Sequence, residues 1–205
     1  MIYKYIGQQF KNPTGLGGKI TTYIMNCQNQ KQYQAVIENI DIRTTDTVLD
    51  IGFGNGYLIH RLAKLNPEKI YGIDISQDML QLVNRKNRKK IEQGKIELLL
   101  ADVQNIPIKN SLIDKAFTVN TVYFWQDIHR VFLEIHRVLK PNGIFLNVLY
   151  LKDWLEKLPV TRYGYSKYTA EQIKKITAES GLKIERILEV QPGKSICVIA
   201  RKESS

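Results

Sequence analysis

The stretch Val48 to Tyr57 reads VLDIGFGNGY, with one carboxylate in an apolar run and three alternating glycines behind it. Glycines at that spacing permit a tight turn and let a ligand touch the main chain. A helix that starts after them offers free N–H groups to a negative group. A dinucleotide site needs GxGxxG. Gly52 and Gly54 fill its first two places, but Tyr57 holds the third and Gly56 falls one residue early. A phosphate-binding loop needs a Lys-Ser/Thr pair after its last glycine, and none follows here. Asp50 would repel a phosphate and attract a ligand that carries an ammonium group. The plain alternative is that the glycines only turn a strand into a helix.

The elements that must position this loop alternate in type. Val48 to Ile51 reads as a strand, and Leu58, Ile59, Leu62 and Ala63 recur at helical spacing. Lys69 to Asp74 reads as a second strand. Ser76 is an N-cap for a helix through Met79, Leu80, Leu82 and Val83 to about Ile91, which Gly94 ends. Ile96 to Leu100 and Leu112 to Val119 read as the third and fourth strands. Ile128, Val131, Phe132, Ile135, Val138 and Leu139 form a helical stripe, ended by Pro141-Asn142-Gly143. Ile144 to Leu151 is a fifth strand. Lys152 to Tyr168 is irregular and rich in aromatics.

Thr169 with Gln172 has the spacing of a capping box, for a helix over Ile173 and Ile176 that stops at Gly181. Lys183 to Val190 and Ser195 to Ala200 are closing strands. The turn at Pro192-Gly193 is too short for a parallel crossover, so this pair is antiparallel. Ahead of the first strand, Tyr33, Val36, Ile37 and Ile40 share one helix face. Residues 1–30, with glycines at 7, 15, 17 and 18, read as an extension that folds onto the main body. Strand–helix alternation predicts a mostly parallel α/β sheet covered on both faces. Ligands of such sheets bind beyond the carboxyl ends of the strands, where the glycines fall.

The chain has 205 residues, of which 43% are hydrophobic and 24% charged, enough for one ordinary globular domain with its own core. No apolar run reaches the roughly 20 residues of a membrane span. The N-terminal residues lack the pattern of a signal peptide. Two cysteines, Cys27 and Cys197, without CxxC spacing, point to a reducing cytoplasm and to neither a disulfide framework nor a zinc site. The net charge of +10 admits nucleic acid, an anionic membrane surface or an acidic substrate as partner. The densest run, Arg85 to Lys90, falls near the end of a helix, where cations are favoured.

Five segments in register resemble the class I S-adenosylmethionine (SAM)-dependent methyltransferases, in the small-molecule group that includes ubiquinone and menaquinone methyltransferases. They are VLDIGFGNG, YGIDIS (71–76), LLLADVQNIPI (98–108), AFTVNTVYFW (116–125) and RVLKPNGIFLNV (137–148). The similarity covers about residues 30–200. It implies a Rossmann-like seven-stranded sheet in the order 3-2-1-4-5-7-6 with the last strand antiparallel. It implies a methyltransferase domain over residues 31–205 and an N-terminal extension or lid over 1–30.

The resemblance also assigns a cofactor site, with S-adenosylhomocysteine as the product. Gly52, Phe53, Gly54 and Gly56 would pack on the amino-acid end and ribose of SAM, and Asp50 would attract its ammonium. Asp74 would accept from the ribose diol, since one carboxylate has two oxygens to offer. Asp102 and Val103 would meet the adenine edge, and Ile75 and Met79 its faces. Asn120 and Thr121 would line the methionine portion. Asn26, with Met25, would approach SAM from the extension. Simpler roles exist beside these: Asp74 as a helix cap, Asp102 as a solvated loop residue, Asn120 as a turn residue.

Methyl transfer is a displacement at carbon, so alignment and water exclusion matter more than an acid–base pair. No catalytic residue is assigned. The Asn120-Thr121-Val122-Tyr123 sequence lacks the Pro-Pro pair of enzymes that methylate base amines. His60, His129 and His136 fall on presumed helices without a ligand cluster, so no metal is expected. Tyr123, Phe124 and Trp125, with Trp154, Tyr163, Tyr165 and Tyr168, suit a flat or apolar acceptor. With the basic charge they point to an aromatic or anionic small molecule. An RNA methyltransferase and a non-catalytic SAM-binding subunit remain as alternatives, although no separate RNA-binding module is visible. Monomer and homodimer both stay open.

Overall fold

The computed structural model describes residues 29–204. The expected lid, with Met25, Asn26 and Cys27, therefore lies outside the described residues, apart from Asn29 and Gln30 at its boundary. Helix α1 (Gln30–Asn39) leads into β1 (Thr47–Ile51). There follow α2 (Tyr57–Leu62), β2 (Lys69–Asp74), α3 (Gln77–Glu92), β3 (Ile96–Leu100) and β4 (Ile113–Val119). Helix α4 (Ile128–Val138), β5 (Leu139–Tyr150), the short α5 (Lys152–Leu155), α6 (Ala170–Glu179), β6 (Leu182–Gln191) and β7 (Ser195–Lys202) complete the chain.

The strands form one sheet in the order β3-β2-β1-β4-β5-β7-β6. The first five run parallel, and β7 is antiparallel to both its neighbours. Both closing expectations, the order and the antiparallel hairpin, match this sheet. All five residues of β1 are buried, as a central strand covered on both faces requires. Leu49 and Ile51 face a core that includes Val131 and Phe132 of α4 and Ile173 of α6. Val48 faces the other core, with Val36 of α1, Ile59 of α2 and Val83 of α3. Alternation along the strand places Asp50 on this second face.

Local signals hold where they are strong. Ser76 accepts from Met79 N–H at 3.4 Å and opens α3. Thr169 and Gln172 make both bonds of a capping box, at 3.2 and 2.9 Å. Two segments depart from expectation. Leu139 is the first residue of β5, not the last of α4: Pro141 bars Lys140 from helical geometry, and Leu139 before it is already extended, with φ −66° and ψ 137°. Pro141-Asn142-Gly143 then forms an irregularity within β5: Leu139 pairs with Ile113, and the register resumes at Ile144 opposite Lys115. The stretch 152–168 contains α5 and a 3-10 helix, Pro159–Arg162, both too short for periodicity to reveal.

Candidate active site

The carboxyl ends of β1 to β4 meet at one pole of the sheet. Between them lies a cavity of about 260 Å³. The order reverses between β1 and β4, which is where an open α/β sheet leaves a crevice. From the first strand and its loop, Asp50, Gly52, Phe53 and Gly54 line the cavity; from the second, Asp74, Ile75 and Met79. Asp102 and Val103 follow β3, and Asn120 and Thr121 close β4. Of the described residues expected there, only Gly56 is absent from the wall.

The three glycines serve three different ends. Gly52 has φ +74°, and a Cβ there would run into the methyl group of Thr121. The Thr121 hydroxyl is bonded to that of Thr118, which donates to the Ile51 carbonyl at 2.9 Å. Gly52 thus lets the loop close against the end of β4. Gly54 has φ +50°, and a Cβ there would meet nothing within 4 Å among the described residues. Gly56, at φ +73°, would place a Cβ 2.7 Å from a methyl of Val83, so it is needed for packing against α3.

The acids are held differently. Each Asp74 oxygen accepts one main-chain N–H, from Gly54 at 2.8 Å and from Ser76 at 2.9 Å. This leaves each oxygen further acceptor capacity toward a ligand. Burial raises the Asp74 pKa, while the backbone donors pull against that shift. Asp50 is 4% exposed, and no donor among the described residues bonds its carboxylate. Its pKa stands well above the usual range, first through burial and then through the charge of Asp74. Asp102 is exposed and accepts from Gln104 N–H and side-chain amide at 2.9 and 3.0 Å.

Asp74 therefore organises the glycine loop as well as facing the cavity. Asp74→Ala should strand the Gly54 and Ser76 donors and lower stability by about 1–3 kcal/mol. Chemical denaturation checks this, and unchanged stability would show that the loop holds itself.

At the end of β4, Asn120 is buried with φ +57°. Its amide donates to Asn29 at 2.9 Å and accepts from the Tyr123 hydroxyl at 3.0 Å. Tyr123 is core, and its hydroxyl also bridges to the main chain of Tyr150. Phe124 and Trp125 do line the cavity; Trp154, Tyr163, Tyr165 and Tyr168 do not. Tyr165 packs edge-on behind Phe124, with centroids 4.8 Å apart. His60, His129 and His136 stand away from the lining, and the described residues contain no group of three His, Cys, Asp or Glu placed to hold a metal.

Sequence reasoning missed Asn29, Tyr33 and Tyr57 on the wall. The Tyr33 and Tyr57 rings stack with centroids 4.8 Å apart, joining α1 to the start of α2. Burial pushes the Tyr33 phenol up to about 12. An aromatic directly behind the glycine loop was the available signal for Tyr57. For Asn29 and Tyr33 no local signal existed.

A sheet of this order, with a glycine loop after its first strand and carboxylates closing the second and third, defines a class I methyltransferase. The family described as "Methyltransferase domain" matches residues 49–147. The uncharacterized methyltransferase YdaC of Bacillus subtilis is 33% identical over 125 residues, 60% of this chain and 67% of that protein. Across the first such relatives the chain spans about two thirds of their length or less. A SAM-dependent methyltransferase from Aquifex aeolicus superposes with a TM-score of 0.71 at 23% identity, over 85% of this chain and 92% of that one. Geranyl diphosphate C-methyltransferase from Streptomyces coelicolor, in complex with Mg2+, geranyl diphosphate and S-adenosyl-L-homocysteine, gives 0.73 at 13% identity, over 84% and 77%. At these identities the two structures establish the fold. The chain belongs to the class I SAM-dependent methyltransferases. No helix of the described residues is long and apolar enough to cross a membrane.

Proposed function

We propose that this protein binds SAM in the cavity and transfers its methyl group to a small, flat, largely uncharged acceptor. The observation that carries the reading is Asp50: a buried carboxylate on the cavity wall with no donor among the described residues. Such a group calls for a cation, and the ammonium of SAM supplies one. Gly54 leaves its side of the wall open to a ligand.

The bound cofactor would supply an electrophilic methyl group on a sulfonium. The chain's own groups bind and align. Asp50 would hold the ammonium, and the free acceptor capacity of Asp74 suits the ribose diol. Asp102 and Val103 would take the adenine edge, with Ile75 and Met79 on its faces. Asn120, fixed by Asn29 and Tyr123, would keep the end of β4 in place beside the reacting carbon. Phe124 and Trp125 would exclude water from the acceptor side.

The acceptor class follows from charge. Among the described residues the wall carries Asp50, Asp74 and Asp102 and no Lys, Arg or His. An anionic acceptor would meet only like charge there, so the aromatic half of the original expectation is favoured over the anionic half. The geranyl diphosphate named for the Streptomyces structural neighbour is a polyanion, so it lies outside this class and lends it no support.

Calorimetry should show binding of SAM and S-adenosylhomocysteine and none of NAD. At ~100 times its dissociation constant the ligand should add about 2.7 kcal/mol of stability. NAD binding without SAM binding would reject the site. A screen of metabolite pools with methyl-labelled SAM then identifies the acceptor; SAM binding with no turnover on any pool would favour a non-catalytic subunit.

A further inference from the structure

The chain carries a net charge of +10, and none of its cations lies on the cavity wall among the described residues. One basic region lies beside the cavity mouth. It is the lobe that follows β5, residues 152–168, together with Lys194 in the turn between β6 and β7. Because β7 is antiparallel to β5, that turn sits at the same pole as the cavity. Ser166 N–H donates to the Tyr123 carbonyl at 2.9 Å, and Tyr165 backs Phe124, so the lobe is fastened to the acceptor side of the wall.

Its exposed chemistry is mixed. Lys157 and Arg162 are exposed, Lys167 is half-buried, and no carboxylate among the described residues lies within ion-pair distance of them. Asp153 and Glu156 are the acids of the lobe, and Glu156 stands 3.9 Å from Lys152. Tyr163 is 56% exposed, a large aromatic left in water. Trp154 is half-buried with the Lys194 ammonium 4.2 Å above its ring. Basic side chains interleaved with amphipathic aromatics are the composition that settles at a bilayer interface.

We propose that this lobe docks on an anionic bilayer surface and holds the cavity mouth against it. The proposal rests on the cavity being the methyl-transfer site. It deepens that reading: the acceptor is an apolar molecule delivered from the lipid phase, which fits a wall of Phe124 and Trp125 with no cation among the described residues. The second basic run, on α3, lacks this character. Helix α3 runs back from β2 toward the far pole, and Arg85, Lys86 and Lys89 lie exposed on its middle and later turns, so a surface they met would lie along the flank of the sheet and not across the cavity mouth.

Co-sedimentation with vesicles tests this directly. The full chain should bind vesicles of phosphatidylcholine mixed with phosphatidylglycerol, not phosphatidylcholine alone, and binding should weaken as salt rises. The triple variant Lys157→Glu/Arg162→Glu/Lys167→Glu should lose about 100-fold or more in apparent affinity, with SAM affinity unchanged by calorimetry. Arg85→Glu/Lys86→Glu/Lys89→Glu should lose far less. Doxyl-labelled lipid should quench tryptophan emission in the wild type and markedly less in Trp154→Phe, which keeps only Trp125 of the cavity wall. Equal binding to neutral vesicles, no binding to either, a larger loss from the α3 variant, or lobe-dependent binding of transfer RNA without vesicle binding would each overturn the docking surface. Failure of SAM to bind would instead remove the reading beneath it, whatever the vesicles show.

Discussion

Asp50→Asn is expected to raise the melting temperature of the ligand-free protein near neutral pH and at the same time to cripple SAM binding. The two effects have one cause. Asp50 is buried without a donor among the described residues and lies beside Asp74, so its charge is costly in the empty cavity. Asp74 has the Gly54 and Ser76 N–H groups and keeps the charge more easily. The sign is fixed by the direction of the shift. A folded pKa raised above the unfolded value, about 3.9, contributes stability that is complete below that value and is lost as pH rises through the folded one. The stabilising effect of the amide should therefore vanish in strong acid and grow toward neutrality.

Ligand binding runs the other way. The ammonium needs an ionised Asp50, so wild-type affinity should rise with pH through the raised value, with proton release. Losing a charged hydrogen-bond partner costs about 1.5–3 kcal/mol, roughly 10- to 150-fold in affinity. Calorimetry in buffers of different ionisation enthalpy measures both quantities. Wild-type affinity and an unchanged proton count in Asp50→Asn would show that no cation meets this carboxylate.

Gly54→Val and Gly56→Val should fail in opposite ways. Both glycines hold positive φ, so valine is strained at either position by about 1–3 kcal/mol. At Gly54 the side chain meets no atom of the described residues and projects into open space beside the cavity. The fold should survive, and SAM binding should fall by about 100-fold or more, as ligand volume is taken. At Gly56 the Cβ meets both methyls of Val83, at 2.7 and 2.8 Å, on a helix that cannot yield cheaply. Stability should fall further there, while the residual folded fraction keeps an open cavity. Thermal melts paired with SAM titrations separate the two; equal loss of stability in both variants would mean that Gly54 is also a packing glycine.

The sequence by itself determined the order of the elements, the bounds of β2 and β3 and the three strand-end carboxylates. Those features are written locally, in a period of two or 3.6 residues and in caps such as Ser76 and Thr169, which act within one turn of their own position. The antiparallel hairpin of β6 and β7 was equally legible, because so short a turn permits nothing else. What the side chains do at the site was decided only by tertiary structure. The pattern treated Gly52, Gly54 and Gly56 alike, yet one faces Thr121, one open space and one Val83. Asp50 and Asp74 carried different expected roles, but nothing local showed that the Gly54 and Ser76 N–H groups would serve Asp74 and not Asp50. Asn29 reaches Asn120 across 91 positions, and no period or cap in either segment records that meeting. Such contacts depend on which faces the sheet order brings together, a property of the assembled layers that no short stretch contains.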